Sequence, residues 1–335
     1  MSTSVIGLSS KLLNQDVSQL KDVANKYPVL MTPFITKRIS NGTYSKNAAL
    51  QYLPNVQELT DNLGSKYDPC NERSFKQTNN LIRKYSNRVA LILTHRCLSY
   101  CRFCFRKDFV GYDNQSIKLQ DIEDSINYIE NHSECRDVLL SGGDPLAISN
   151  KSLFPVLERL CLIPHVKSLR IHTRALSLAP HRINNDLIQF LKNNRKFWFY
   201  CHMNHPDDLN YPDIIDALHK IQDTGTPVLN QCVILKKVND SPEIVNNLMM
   251  DLYNNRIVPY HIYVFDRVKG ADHFSVGIDI LLKIFESLSE LPGPAQPVFV
   301  FVDQNNTKRK FVYDDNRSCE ILRSLLSSKI LSCQF

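Results

Sequence analysis

The sequence predicts an α/β chain folded as a partial or complete β/α (TIM-like) barrel behind a helical extension. Three observations carry that expectation. Short runs of β-branched and aromatic residues recur from about residue 88 to 303, amphipathic segments separate them, and polar residues suited to chemistry follow the runs. Continuous apolar runs suit strands of a parallel sheet buried on both faces, and alternation with helices is the βαβ pattern. At 335 residues the chain has the length of a single barrel with additions.

In order, the runs are RVALILT (88–94), DVLLSG (137–142), SLRIHT (168–173), FWFYCHM (197–203), VLNQCVIL (228–235), PYHIYVF (259–265) and PVFVFV (297–302). Between the first two, LQDIEDSINYIENH sets Ile122, Ile126 and Ile129 at spacings of four and three, one face of a helix. Residues 1–80 are mixed and polar, with YPVLMTPFITKRI as their apolar patch, and read as an N-terminal helical extension. Residues 81–305 form the barrel core, and 306–335 a closing segment whose CEILRSLLSSKIL reads as a short helix.

Composition narrows the class. A charged fraction of 22% and a net charge of +6 describe an ordinary globular protein. The one dense basic run, Lys308 to Lys310, is too short for a nucleic-acid stripe. No stretch approaches 18 apolar residues and no secretory leader is visible, so neither a membrane span nor export is expected. Ten cysteines then read as thiols and metal ligands in a reducing cytoplasm.

Chemistry in a β/α barrel collects beyond the carboxyl ends of the strands. Three residues past the first run stand Cys97, Cys101 and Cys104, spaced C-x3-C-x2-C with Phe103 before the last. Soft thiolates favour zinc or an iron–sulfur cluster. Zinc wants a fourth ligand, from a paired C-x2-C or H-x3-H downstream, and none is present. A [4Fe–4S] cluster on three cysteines keeps one iron open to a small molecule.

This motif after a first strand resembles the radical S-adenosylmethionine superfamily. The segments KYSNRVALILTHRCLSYCRFCFRKDF, DVLLSGGDPL, LRIHTR, HMNHP, LNQCVILKKVND and PYHIYVFDRVKGADHF together resemble the lysine 2,3-aminomutase family over about residues 25–280, nearest to its short branch associated with elongation factor P lysine modification. The resemblance implies a barrel of the radical S-adenosylmethionine type. It also implies an isomerase that moves the α-amino group of L-lysine, or a lysine-like amino acid, to the β-carbon through a 5′-deoxyadenosyl radical and a pyridoxal 5′-phosphate (PLP) aldimine. An external electron donor such as flavodoxin or ferredoxin follows from that chemistry, and an oligomer is compatible with it.

Carried over residue by residue, the resemblance puts Ser141, Gly142, Gly143 and Asp144 by the S-adenosylmethionine amino group, with His202 and Gln231 lining that site. Phe103 joins these as a cofactor contact. The two glycines would let the backbone approach a ligand closely. Arg106 becomes the clamp for the substrate carboxylate, a task suited to a planar guanidinium. Lys84, Tyr85 and Arg88 fall where the family binds the PLP phosphate, with Lys84 replacing a more usual arginine. Asp266 matches the aspartate that holds the distal ammonium, and Asp303 is the candidate for its second carboxylate.

The pattern breaks near the C-terminus. The family's Lys-Thr-Pro loop is replaced by PVFVFVDQNNTKRKFVYDD. Counting from Asp303 makes Lys310 the aldimine lysine, with Lys308 as the other candidate. Two other readings follow from this break: a radical enzyme that has lost PLP and abstracts hydrogen from a small cationic substrate, and a non-catalytic iron–sulfur protein.

Overall fold

The computed structural model describes residues 2–60, 64–112, 117–303, 307–313 and 316–331. Among these residues ten strands form one sheet whose spatial order follows the chain. They are β1 (Lys76–Thr78), β2 (Leu81–Tyr85), β3 (Arg88–Thr94), β4 (Asp137–Gly142), β5 (Ser168–Thr173), β6 (Phe197–His202), β7 (Val228–Ile234), β8 (Val258–Val264), β9 (Val298–Val302) and β10 (Lys308–Phe311). From β3 to β9 each strand pairs in parallel with the next. The β1–β2 hairpin adds antiparallel to β3, and β10 folds back antiparallel on β9. Among the described residues β1 and β10 do not pair, so the barrel is partial and keeps a seam.

The seven parallel strands are those expected from the apolar runs, with ends differing by at most one residue. Their signal is strong because the side facing the crossover helices is sealed, while in β4 and β5 the alternate residues are half-buried. Leu91, Val138, Leu140, Leu169, Phe199, Cys232, Ile262 and Phe299 are at most 1% exposed, under crossover helices that contribute Ile126, Leu157, Leu187, Leu218, Leu248 and Phe285. Truncating one such leucine to alanine costs about 2–5 kcal/mol. The crossover helices start where side chains satisfy their free N–H groups. Ser149 accepts from Ser152 N, Asn184 from Leu187 N and Ser241 from Ile244 N, the last with Pro242 at the first helical position. In Leu119–Glu130 the buried residues include Ile122, Ile126 and Ile129, the face expected from spacing.

The sheet begins earlier than the apolar pattern implies. Lys76 to Tyr85 forms an edge hairpin in which only Leu81 and Ile82 are buried strand residues, so no run of apolar residues announces it. Ahead of it, helices Ser2–Leu13 and Pro33–Ser40, with the chain that follows to Leu53, build a second apolar cluster from Val5, Met31, Ile35, Tyr44, Tyr52 and Leu53. This layer is fastened to the barrel rim by polar bonds: Thr32 Oγ1 donates to Leu178 O at 2.6 Å, and Arg38 Nη2 to Asp207 O at 3.0 Å. Among the described residues no helix is long and apolar enough to cross a membrane.

Candidate active site

A cavity of about 400 Å³ opens at the carboxyl ends of the parallel strands. That is ligand-sized, and it lies where a β/α barrel gathers its chemistry. Cys97, Cys101 and Cys104 line it, carried by the loop that leaves β3. Burial pushes the Cys97 thiol well up, helped by the facing Cys104, Asp144 and Cys101, and pushes Cys104 up to about 11. Such thiols keep their protons until a metal displaces them. Among the described residues no three His, Cys, Asp or Glu side chains converge on a single-ion site. The three thiols line one cavity with no fourth thiol or histidine grouped with them among the described residues, a donor set that suits a multi-iron cluster with one open iron.

The cysteine loop is held against β4 by close backbone contact. Gly143 N donates to Thr94 O at 2.6 Å and Asp144 N to Arg96 O at 2.8 Å. Gly142 has φ +135°, and a Cβ there would collide with Thr94 O; one at Gly143 would collide with Arg96 O. The glycines therefore admit another stretch of backbone, beyond the ligand contact that the motif suggested. Both still line the cavity, with Ser141 and Asp144. The Asp144 carboxylate is committed internally, accepting from Thr173 Oγ1 (2.7 Å), Arg174 N (2.8 Å) and Leu146 N (2.9 Å). It ties the end of β4 to the end of β5.

Phe103, His202 and Gln231 also line the cavity. His202 and Gln231 are register partners on β6 and β7, and the His202 ring meets Phe103 edge-on at 5.7 Å. Burial, then the Arg174 charge, holds His202 far below the usual imidazole range, so it is neutral. His202 Nε2, His172 Nε2 and Arg88 Nε are buried without a hydrogen-bond partner among the described residues. Buried polar atoms are rarely orphaned, and these three belong to residues lining the cavity, where a polar ligand would satisfy them.

Arg106 is fully engaged. Its Nε and Nη2 pair with the Glu72 carboxylate at 2.7 Å each, and Nη1 donates to Ser141 Oγ and Gly142 O at 3.0 Å. Burial pulls its pKa down, but Glu72 outweighs this and holds it above the ordinary arginine value. The partner comes from Glu72–Phe75, a short 3-10 turn ahead of β1. Nearby, Cys70 Sγ lies 3.7 Å from Asp266 Oδ2, so the same segment touches both expected substrate anchors.

Lys84, Tyr85 and Arg88 line the side of the cavity formed by β2 and β3. Lys308 lines it too, and its Nζ donates to the Tyr263 hydroxyl at 2.8 Å. That hydroxyl lies 3.0 Å from His261 Nδ1. Burial, then the Lys308, Lys310 and Arg170 charges, pushes His261 down to about 3. His261 is therefore neutral and shares a hydrogen bond with the Tyr263 hydroxyl, whose oxygen accepts from Lys308.

Two expected residues lie elsewhere. Lys310 is exposed and absent from the cavity lining. In the β9–β10 hairpin Lys308 pairs with Val302, at the rim where β9 ends, whereas Lys310 pairs with Val300, two residues below it. Residues 308–311 form a strand, so of the two candidate lysines the register brings Lys308 to the cavity. Asp303 is also outside the lining: it accepts from Thr307 N at 2.9 Å and pairs with Arg309 Nε at 2.7 Å, closing the hairpin turn. Its expected role as second ammonium anchor is not supported by this placement.

Sequence reasoning missed Glu58, Glu72, Arg174 and Tyr263. Arg174 and Tyr263 stand in segments it quoted, after β5 and on β8, but only the fold shows what they touch. The two glutamates lie in short 3-10 turns of the extension, where nothing local marks them.

Residues 91–248 match the model of the radical SAM superfamily. The chain is 36% identical over 251 residues to the L-lysine 2,3-aminomutase of Fusobacterium nucleatum, covering 75% of this chain and 59% of that protein. It is 35% identical over 253 residues to that of Buchnera aphidicola (75% and 74% covered) and 33% over 260 residues to that of Haemophilus influenzae (77% and 76%). Residues 91–248 thus form a radical SAM domain that carries the three-thiol motif, and the chain spans 59% of the Fusobacterium protein's length. It belongs to the lysine 2,3-aminomutase family. The family's cofactors are a [4Fe–4S] cluster, S-adenosylmethionine and PLP, and the donor set fits them: three thiols for the cluster, the β4 and β6–β7 ends for S-adenosylmethionine, and the Lys84, Arg88 and Lys308 side of the cavity for PLP.

Proposed function

We propose that this chain is an aminomutase that shifts the α-amino group of L-lysine, or of a lysine-like amino acid, to the β-carbon. The observation that carries the reading is one cavity lined together by the three thiols, Arg106, Asp266 and Lys308. When bound, the cluster and S-adenosylmethionine supply a carbon radical that removes and returns one hydrogen atom, and PLP supplies an aldehyde to hold the migrating nitrogen.

The chain's own residues then have distinct tasks. Cys97, Cys101 and Cys104 hold the cluster. Ser141, Gln231 and the neutral His202 offer hydrogen bonds to S-adenosylmethionine, with Phe103 as an apolar wall. Lys84, Tyr85 and Arg88 take the PLP phosphate. Lys308, rather than Lys310, is the amine that attaches PLP. Burial lowers its pKa, so more of it is unprotonated and nucleophilic at neutral pH. Tyr263 orients that amine, and His261 orients Tyr263 in turn. Asp266 selects a cationic side chain at the distal end. Arg106 takes the α-carboxylate in competition with Glu72. Electrons come from an external donor of the flavodoxin or ferredoxin kind. The position of Lys308 favours this reading over an enzyme that has lost PLP.

The test is anaerobic incubation of the reconstituted protein with S-adenosylmethionine, PLP, dithionite and L-lysine. β-Lysine as product supports the proposal. Formation of 5′-deoxyadenosine without PLP dependence or β-lysine sinks it in favour of another hydrogen abstraction.

A further inference from the structure

Arg174 follows β5 immediately, and its side chain is only 8% exposed. Nη1 donates to Cys101 Sγ at 3.0 Å, and Nη2 donates to Gln51 Oε1 at 2.9 Å. Its one carboxylate within ion-pair distance among the described residues is Asp208, at 3.5 Å. That carboxylate is itself drawn away, accepting from Tyr44 Oη, Asn204 N, His205 N and Gln51 Nε2. The Tyr52 and Phe103 rings lie 5.0 and 5.6 Å from the guanidinium carbon and hold it in place. A buried cation thus rests on one proposed cluster ligand with its counter-charge half spent.

We infer that Arg174 is a positioning residue that tunes the reduction potential of the cluster through the Cys101 sulfur. The inference rests on the reading that Cys97, Cys101 and Cys104 hold a [4Fe–4S] cluster. Reduction adds one negative charge to the cluster. A cation hydrogen-bonded to a ligand sulfur in a medium of low dielectric favours the state with more negative charge. Hydrogen bonds to the sulfurs and local net charge are established levers on such potentials. Arg174 therefore makes the one-electron reduction that starts the reaction easier, and Asp208 moderates the effect.

The experiment is an EPR-monitored redox titration of reconstituted wild-type, Arg174→Gln, Arg174→Lys and Asp208→Asn proteins, with iron content and visible absorbance measured first. The expected midpoint of Arg174→Gln lies below wild type, with Arg174→Lys between them. Asp208→Asn, which leaves the guanidinium less compensated, lies above wild type. A role confined to folding or packing does not move the potential in opposite directions. Equal potentials in loaded Arg174→Gln and Asp208→Asn overturn the inference and leave the cluster intact as a reading. Wild-type protein that takes up no iron overturns both. If Arg174→Gln holds no cluster, the direction of the Asp208→Asn shift decides.

Discussion

Lys308 and Lys310 are two residues apart, yet their surroundings give them different chemistry. Lys308 is held in the cavity by Tyr263, whereas Lys310 is exposed. Borohydride reduction of the PLP-loaded protein, followed by peptide mass spectrometry, is therefore expected to find the label on Lys308. Lys308→Ala abolishes it and Lys310→Ala retains it; a label on Lys310 would refute the assignment. Arg106 gives a second expectation at this scale. A bidentate arginine–carboxylate pair is charge-assisted, and each such bond contributes about 1.5–3 kcal/mol. With Glu72 already in the fork, Glu72→Gln removes the competing charge and lowers KM for L-lysine by roughly 10-fold, since 1.4 kcal/mol is tenfold. Arg106→Gln raises KM by at least as much, and a Glu72→Gln variant with raised KM would mean that the pair serves to position Arg106. The cysteine trio was legible in the sequence because its spacing is local. The fork was not, because its partners are 34 residues apart and no periodicity links them.

The turn Val56–Leu59 shows how one short element locks the cysteine loop. Glu58 is fully buried, accepting from Arg102 Nε and Nη2 and from Lys107 Nζ, while Lys107 also donates to Gly270 O at 2.8 Å. Arg102 and Lys107 flank Cys104, so the turn and the cysteine loop meet on one carboxylate, and Lys107 carries the link on to Gly270. Burial raises the Glu58 pKa, but the two cations overcome it and bring it from 4.5 to about 2. A carboxylate depressed in the folded state contributes stability that is present above about pH 4.5 and lost as pH falls toward 2. Lys107 has the opposite sign: burial lowers it from 10.5 to about 8, so it costs stability at neutral pH, a cost relieved as pH rises from 8 toward 10.5. Glu58→Gln strands two buried cations and is expected to lose about 3–5 kcal/mol at pH 7. Urea unfolding of both proteins at pH 3, 5, 7 and 9 checks this: the gap narrows at the acid end, and an equal gap at pH 3 and 7 would rule out the ion network as its cause. The strands were readable because short β-branched and aromatic runs with one face sealed under helices form a strong local pattern. The β1–β2 hairpin was not, since an edge strand with two buried residues has almost no pattern to read.

At the scale of the whole molecule, the N-terminal layer lines none of the cavity but backs the loop that carries the thiols. The barrel supplies the strand ends, and the N-terminal layer closes over the cysteine loop. Tyr100 N donates to Leu30 O at 3.0 Å and Arg102 N to Gln51 O at 2.8 Å, so backbone bonds on both sides of Cys101 depend on that layer. Gln51 is fully buried, and its side chain also joins Arg174 and Asn204 to the layer. Sequence patterning separated a helical N-terminal region from a barrel but did not reveal this dependence, because hydrogen bonds to backbone carbonyls leave no trace in residue identity. A chain lacking residues 2–54 keeps every strand and all three cysteines. It leaves Leu178, Leu98 and Cys101, which pack against that layer, facing water, and strips the loop amides of their acceptors. An unpaired buried donor costs about 1–3 kcal/mol, so the loop loses these anchors beside Cys101 and keeps those from Glu58 and from the end of β4. The truncated chain is therefore expected to bind a hydrophobic dye and to retain far less iron per chain after reconstitution and desalting than the full chain. Iron retention equal to the full chain, with the same visible absorbance, would show that the barrel alone positions the three thiols and that the N-terminal layer serves only to cover them.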